Sequence, residues 1–331
     1  MSSPNMSKST LIHIGMHKTG SSWLQVNLFT NPESRFWNAA PASKTRRKSR
    51  AKFGSDLFYR SSTGNVLLED EFNAHDARHK LGADHVPEGR CMVVSHERLS
   101  GHPMSNGIDR AWICRRLHAT FPDGKVLLVV REQRSIILSN YMQYLKYGGA
   151  RSIQGYLFGE NDARSPTLTP RYWRYHELAR LYLDAFGAAN VLVLPYEMLR
   201  RDPADFAGRI CRFAGVEQPP GGISASGPEN ASQNYLTCVV LRWISPLIRS
   251  SRGNGFAPAL FGRRFGQAVH LGLQKYLGLL VPRSLNEYVK RNLLSRVESV
   301  ARENYPDSNQ RLQEMTGLEL GQYGYLLPDG G

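Results

Sequence analysis

Leu11-Ile-His-Ile-Gly-Met-His-Lys-Thr-Gly-Ser-Ser-Trp-Leu-Gln25 is the stretch that decides how this chain reads. An apolar strand over 11–16 runs into a Gly-bounded loop, and the loop runs straight into a helix expected over 21–30. Gly15, four residues, Gly20 and then Ser21-Ser22 come close to the spacing of a phosphate-binding P-loop. In the version that binds nucleoside triphosphates, Lys follows the second Gly. Here Ser21 stands at that position, and the loop's one lysine, Lys18, lies inside it. Backbone amides at the helix N-terminus can still cradle a phosphate. The cation comes from a different place, which argues against a γ-phosphate as the transferred group.

A second stretch carries the same logic. Val126-Leu-Leu-Val-Val130 reads as a fully buried strand, followed by the helix-compatible run Arg131-Glu-Gln-Arg-Ser-Ile-Ile-Leu-Ser139. A guanidinium at the strand end can grip a phosphate bidentately, and a hydroxyl two helical turns later adds a neutral donor. Taken alone, Arg131 reads equally as a helix-start cation that satisfies a local carboxylate.

His17-Lys18-Thr19-Gly20-Ser21-Ser22-Trp23-Leu24-Gln25 resembles the 5′-phosphosulfate loop of sulfotransferases that use 3′-phosphoadenosine 5′-phosphosulfate (PAPS). Those loops usually read Lys-Thr-Gly-Thr-Thr, and Ser21-Ser22 keeps both hydroxyls. The spacing of Arg131 and Ser139 is similar to the pair that holds the 3′-phosphate in that family. The resemblance implies an α/β, three-layer P-loop-like fold with a central parallel sheet flanked by helices. It also implies PAPS as donor, released as PAP, with no metal, and His17, Lys18, Thr19, Gly20, Ser21, Ser22, Trp23, Arg131 and Ser139 as donor-binding residues. Lys18 is then suited to the oxygen that gains charge as it leaves. Glu97-Arg98 resembles the strand-end Glu-Lys of glycan sulfotransferases and makes Glu97 first choice as base. His96 is second, since small-molecule members use a histidine, and His17 is a weaker third. Adjacent residues in an extended segment point oppositely, so only one of Glu97 and His96 is expected to face the donor.

The rest of the chain sets the frame. Further buried strands are expected at Cys91–Ser95 and 190–194, and helices near 107–120, 132–147, 171–186 and 203–214. Short apolar strands alternating with helices indicate a parallel sheet covered on both faces. Its ligand lies beyond the strands' carboxyl ends, where Lys18, Glu97 and Arg131 all fall. Residues 35–65 read as irregular and hold Lys44, Arg46, Arg47, Lys48, Arg50 and Lys52. That run is either a solvated loop or an edge of the acceptor or membrane-facing surface.

Length allows one sulfotransferase domain over 1–331: a donor-binding core over 11–220, a helical basic cap or acceptor region over 221–286, and C-terminal helices over 287–331. The closing Asn309-Gln-Arg-Leu312 is similar to the tail of bacterial-type sulfotransferase domains. Residues 230–286 contain no Asp or Glu but seven Lys or Arg, among dense apolar side chains. They suit a cap over an anionic or lipid-linked acceptor, a surface lying on anionic membrane, or core-packed helices with snorkelling arginines.

Against 28 Asp and Glu stand 42 Lys and Arg, a net +14, which calls for an anionic ligand or surface. No nucleic-acid-binding signature appears, so nucleic acid is not an expected partner. Cys91, Cys114, Cys211 and Cys238 show no metal spacing and read as reduced packing residues. With no apolar run of membrane-spanning length and no leader pattern, the expected location is cytoplasmic, with peripheral contact at the membrane face left open. The reading is a transfer of sulfuryl to a hydroxyl, on a carbohydrate or glycolipid acceptor. The alternatives are a P-loop phosphotransferase and a non-catalytic basic protein that binds PAP or another anion.

Overall fold

The computed structural model describes residues 9–38, 55–59, 69–146, 149–159, 168–220, 234–244, 272–273, 276–278 and 280–328. The expected cation run at 44–52 lies outside them, as does most of the basic segment between 245 and 275. In chain order the helices are α1 (Ser21–Leu24, prolonged by a π-helical turn, Gln25–Phe29), α2 (Ala74–Lys80), α3 (Arg110–Thr120), α4 (Gln133–Lys146), α5 (Ile153–Leu157), α6 (Tyr175–Phe186), α7 (Tyr196–Arg201), α8 (Pro203–Ala214), α9 (Tyr235–Ile244), α10 (Arg283–Asn304) and α11 (Pro306–Thr316). The chain divides into two compact units. One comprises Met1–Glu132, Tyr172–Gly227 and Asp307–Gly331, the other Gln133–Arg171 and Pro228–Pro306.

The first unit is built on a five-stranded parallel sheet: β1 (Thr10–His13), β2 (Phe36–Asn38), β3 (Cys91–Ser95), β4 (Lys125–Val130) and β5 (Val191–Pro195). The spatial order is β2-β3-β1-β4-β5. Register places Leu11 beside Val93 and Lys125, and Val129 beside Leu194. Side chains alternate between faces along each strand. Leu11, Val93, Leu127, Val129 and Leu194 therefore share one buried face with Leu24 and Leu28 after the loop and Phe206 and Ile210 of α8. The partners Ile12, Val94, Val126 and Leu128 on the other face are also fully buried. A sheet apolar on both faces has to be covered by helices on both, which is why these strands read as continuous apolar runs.

This topology creates the crevice. From β1 the chain leaves toward β2 on one side, and from β4 toward β5 on the other, so the connections that follow these adjacent strands part at their carboxyl ends. Pairing continues past the formal end of β1: the Ile14 amide donates to Leu127 O at 2.9 Å and the Met16 amide to Val129 O at 3.3 Å. On the opposite side the His96 amide donates to His13 O at 3.2 Å. The loop after β1 is thus flanked by the segments that follow β3 and β4.

Cys91–Ser95 and 203–214 have the structure their sequence predicts. Two elements do not follow the expectation. Phe36–Asn38 forms a short edge strand within the segment read as irregular, because three residues are too few to show a period. Tyr196–Arg201 forms a helix directly after β5, where Pro195 reads as a stop but in fact precedes the first helical turn.

The second unit contains α4, α5, α9 and α10. Arg134 on α4 pairs with Glu298 on α10 at 2.8 Å, and the Tyr305 hydroxyl donates to Pro170 O at 3.0 Å. The Leu236 amide at the start of α9 donates to Asn286 Oδ1 on α10 at 3.3 Å. Among the described residues no helix is long and apolar enough to cross a membrane.

The start of α8 rests on one side chain. Asp202 accepts from the amides of Ala204 and Asp205 at 3.0 and 2.9 Å, with Pro203 at the first helical position. Asp202→Ala is expected to lower stability by about 1 kcal/mol in urea unfolding. An unchanged midpoint would mean that the cap contributes nothing.

Candidate active site

The loop between β1 and α1 is shaped by two left-handed residues, Lys18 at φ 71° and Gly20 at φ 83°. Glycine suits that conformation, but lysine is held in it at a cost of roughly 1 kcal/mol or more. Such a turn aims successive amides into one concavity, an anion-binding nest at a helix start. Thr19, fully buried, anchors the loop by donating its hydroxyl to Met16 O at 2.6 Å. Gly20 also packs against α7. A Cβ added there would lie 2.7 Å from Leu199 Cδ2 and 3.1 Å from Tyr196 Cε2, so a side chain would have to displace Leu199 and would be strained at φ 83°.

Three buried polar atoms at this loop have no hydrogen-bond partner: His13 Nε2, His17 Nδ1 and Ser21 Oγ. A buried donor or acceptor left unsatisfied costs about 1–3 kcal/mol, so their clustering marks a place where a polar ligand would complete the structure. Gly15 leaves room between two of them. A Cβ there would fall 2.5 Å from His13 Nε2 and 3.2 Å from Ser21 Oγ. Ser22 is exposed at the first turn of α1, and Trp23 packs half-buried against the core. The chemistry of this set, amides, hydroxyls, a lysine and imidazoles around a helix start, suits a phosphate-like anion.

Arg131, the first residue after β4, reaches the loop. Its Nη1 donates to Lys18 O at 3.0 Å, and its guanidinium lies 4.9 Å over the Tyr196 ring. The backbone beneath it is held on both sides: the Tyr175 hydroxyl donates to Arg131 O at 2.6 Å, and the Glu132 amide donates to Glu197 Oε1 at 3.0 Å. Glu197 in turn accepts from the Tyr325 hydroxyl at 3.2 Å, and burial raises its carboxyl above the ordinary range. Ser139 stands half-buried on α4 in the second unit, eight residues along the chain from Arg131.

Across the loop, His96 and Glu97 directly follow β3. Burial acts to raise the Glu97 carboxyl, but the charges that His17 and His96 can carry, with its own amide and His13, hold it below the usual range. Glu97 is therefore ionised near neutrality, the form a base requires. Its neighbour Arg98 is engaged elsewhere, paired with Asp109 and stacked 4.7 Å over Tyr59. His96 caps the turn, its Nδ1 accepting the Arg98 amide at 2.9 Å. In the neutral ring the proton then sits on Nε2, leaving no lone pair for an incoming proton. Burial holds His13 and His17 down to about 4, with Glu97 opposing in both cases. His13 Nδ1 meets Ser95 Oγ at 2.7 Å, and Ser95 Oγ also accepts from Gln25 at 3.3 Å.

The structure thus brings Lys18, Thr19, Gly20, Ser21, Arg131, His17 and Glu97 to one end of the sheet. Sequence reading passed over Glu197, Tyr175, Tyr325 and His13. One signal for the first was present: β3, β4 and β5 each carry a glutamate at the second position past the strand end, Glu97, Glu132 and Glu197.

Residues 111–220, a stretch that contains β4, Arg131, β5 and α8, match the model of a sulfotransferase family. The match spans about a third of the chain and excludes the loop at 15–20. No curated protein matches. Among solved structures the chain is similar to a sulfotransferase from Alicyclobacillus acidocaldarius, with 22% identity and a TM-score of 0.46 over 72% of this chain and 96% of that one. It is also similar to the sulfotransferase domain of the curacin biosynthetic pathway, with 15% identity and a TM-score of 0.36 over 80% and 96%. A third similarity is to the sulfotransferase domain of the Synechococcus PCC 7002 olefin synthase, with 15% identity and a TM-score of 0.37 over 82% and 96%.

The buried imidazoles make a pH prediction. Their folded pKa of about 4 lies below the ordinary 6.5, so both rings are neutral in either state above that value. Below it the unfolded chain takes up protons that the folded chain does not. Stability should therefore fall with decreasing pH, by about 1.4 kcal/mol per pH unit for each ring. Urea midpoints between pH 7 and pH 4.5 should fall less steeply for His13→Gln than for the unaltered chain. Equal slopes would mean that His13 is already protonated in the fold.

Proposed function

We propose that this chain is a PAPS-dependent sulfotransferase acting on a hydroxyl of a carbohydrate or glycolipid. The observation that carries the reading is the 3.0 Å hydrogen bond from Arg131 to the Lys18 carbonyl, which joins the two donor motifs 113 residues apart. In this reading His17, Lys18, Thr19, Gly20, Ser21, Ser22 and Trp23 hold the phosphosulfate end, and Arg131 with Ser139 holds the 3′-phosphate. The unpartnered Ser21 Oγ and His17 Nδ1 support it, since an anion in the loop would satisfy both. Residues 11–220 form the donor core, 221–286 the acceptor region, and 287–331 the closing helices of one domain. The reaction is assigned to the cytoplasm, with no nucleic-acid partner.

PAPS supplies the sulfuryl group, activated by its bond to phosphate. Glu97 takes the proton of the acceptor hydroxyl as that oxygen bonds to sulfur. Lys18 stabilises the negative charge that collects on the bridging oxygen as the sulfur–oxygen bond breaks and PAP forms. Little covalent help is needed for an in-line transfer of this kind, so positioning and charge carry the rate. The tautomer of His96 favours Glu97 as the base, and a glutamate base suits a carbohydrate hydroxyl by analogy with glycan enzymes.

Kinetics with PAPS and a panel of glycan and glycolipid acceptors test this directly. Glu97→Gln should lower kcat by about 10²–10⁴ with little change in donor KM. His96→Asn should cost far less, and Lys18→Ala should lower kcat strongly. Magnesium-dependent ATP turnover with no sulfuryl transfer would replace this reading with a phosphotransferase.

A further inference from the structure

The chain's positive charge is concentrated in the second unit. Residues 133–171 and 228–306 hold 16 Lys and Arg against 6 Asp and Glu, a net +10. The first unit holds 26 against 22, a net +4 of the chain's +14. A polyanionic donor bound by Lys18 and Arg131 in the first unit does not account for that distribution.

The same unit exposes large apolar side chains. Leu280 is 79% exposed, Trp243 73%, Tyr276 68% and Tyr288 60%, with Val240 and Leu285 also out. Two short contacts link the segments that carry them at the start of α9. Asn234, just before α9, donates to Gly278 O at 2.8 Å, and the Leu236 amide donates to Asn286 on α10 at 3.3 Å. Gly278 and Asn286 therefore lie beside the start of α9. Thr237, Cys238 and Leu241 turn the other face of α9 inward, whereas Val240 and Trp243, three residues apart, share its outer face. Cations are interleaved: Arg242 lies 4.7 Å over the Trp243 ring and Lys290 6.0 Å over Tyr235. The carboxylate nearest in sequence to the exposed stretch, Glu287, is offset by Lys290 at 3.5 Å.

From this combination we infer that the α9–α10 face of the second unit docks on the surface of an anionic lipid bilayer. Exposed Trp and Tyr suit the headgroup level, where an amphipathic ring keeps its polar edge wet. Leu280 and Val240 can enter the acyl boundary, and basic side chains answer the negative leaflet. No helix among the described residues can span the membrane, so this is a surface contact. A soluble protein gains nothing from leaving Trp243 and Leu280 in water, and charge complementarity points to anionic lipid as what covers them. The inference goes beyond the proposed function, and its readout does not involve turnover.

Co-sedimentation of the full chain with sucrose-loaded vesicles tests it. One set is phosphatidylcholine alone, the other a one-to-one mixture with phosphatidylglycerol. The chain should pellet with the mixed vesicles at least ten times more strongly. The double variant Trp243→Ser/Leu280→Ser should lose at least tenfold of that binding, with melting temperature and far-ultraviolet dichroism unchanged. Failure to prefer phosphatidylglycerol would overturn the inference. Binding that the double variant retains would do the same, because it would reflect adsorption by charge alone. A dimer of the unaltered chain that the double variant dissolves would assign the face to a second copy instead.

Discussion

Everything at the proposed site depends on β1 and β4 being neighbours. Their parallel pairing runs on through Ile14 and Met16, so the loop leaves the sheet directly beside the end of β4. Arg131 then needs no long reach to donate to the Lys18 carbonyl. That contact does two things at once. It satisfies a carbonyl in a strained turn, and it keeps a guanidinium beside the loop's amides, where two anionic groups of one ligand could be held together.

The supports of Arg131 are themselves tertiary. Tyr175 from α6 and Glu197 from α7 bond the two residues after β4, and Tyr325 from the C-terminal tail donates to Glu197. Glu197 keeps its place by accepting two hydrogen bonds, even though burial raises its carboxyl. An arginine whose backbone is bonded on both sides is preorganised, which lowers the entropic cost of gripping a ligand. The loop itself is less complete. Left-handed Lys18 and the unpartnered Ser21 Oγ and His17 Nδ1 make it strained and polar, the state expected of a cradle whose ligand supplies the missing bonds.

Much of this could be read from the chain and some could not, for physical reasons. β3, β4 and α8 announce themselves because a strand buried on both faces must be apolar throughout, and a helix capped by Asp202-Pro203 starts sharply. The loop could be read because two glycines at fixed spacing leave few alternatives. β2 was too short to show a period, and α7 was hidden because a proline ends one element as readily as it begins another. The contacts of Glu197 span 65 and 128 residues, and no local pattern encodes them. His13 looked like any strand residue, because only the fold turns its ring toward Gly15 and Ser21. The uneven charge, +10 in one unit, has no local signature either, because it depends on how the fold divides the chain into a sheet-bearing unit with Lys18 and Arg131 and a second unit without them.

The central claim is that the two loops form one site for a ligand with a phosphate at each end. Calorimetric titration with PAP, beside ATP and magnesium, measures it most directly, on the unaltered chain and on Arg131→Ala. The account predicts that PAP binds and that Arg131→Ala weakens it by about 2 kcal/mol, roughly thirtyfold, with an unchanged melting temperature. Binding of magnesium–ATP with indifference to PAP, or PAP affinity untouched by Arg131→Ala, would contradict it.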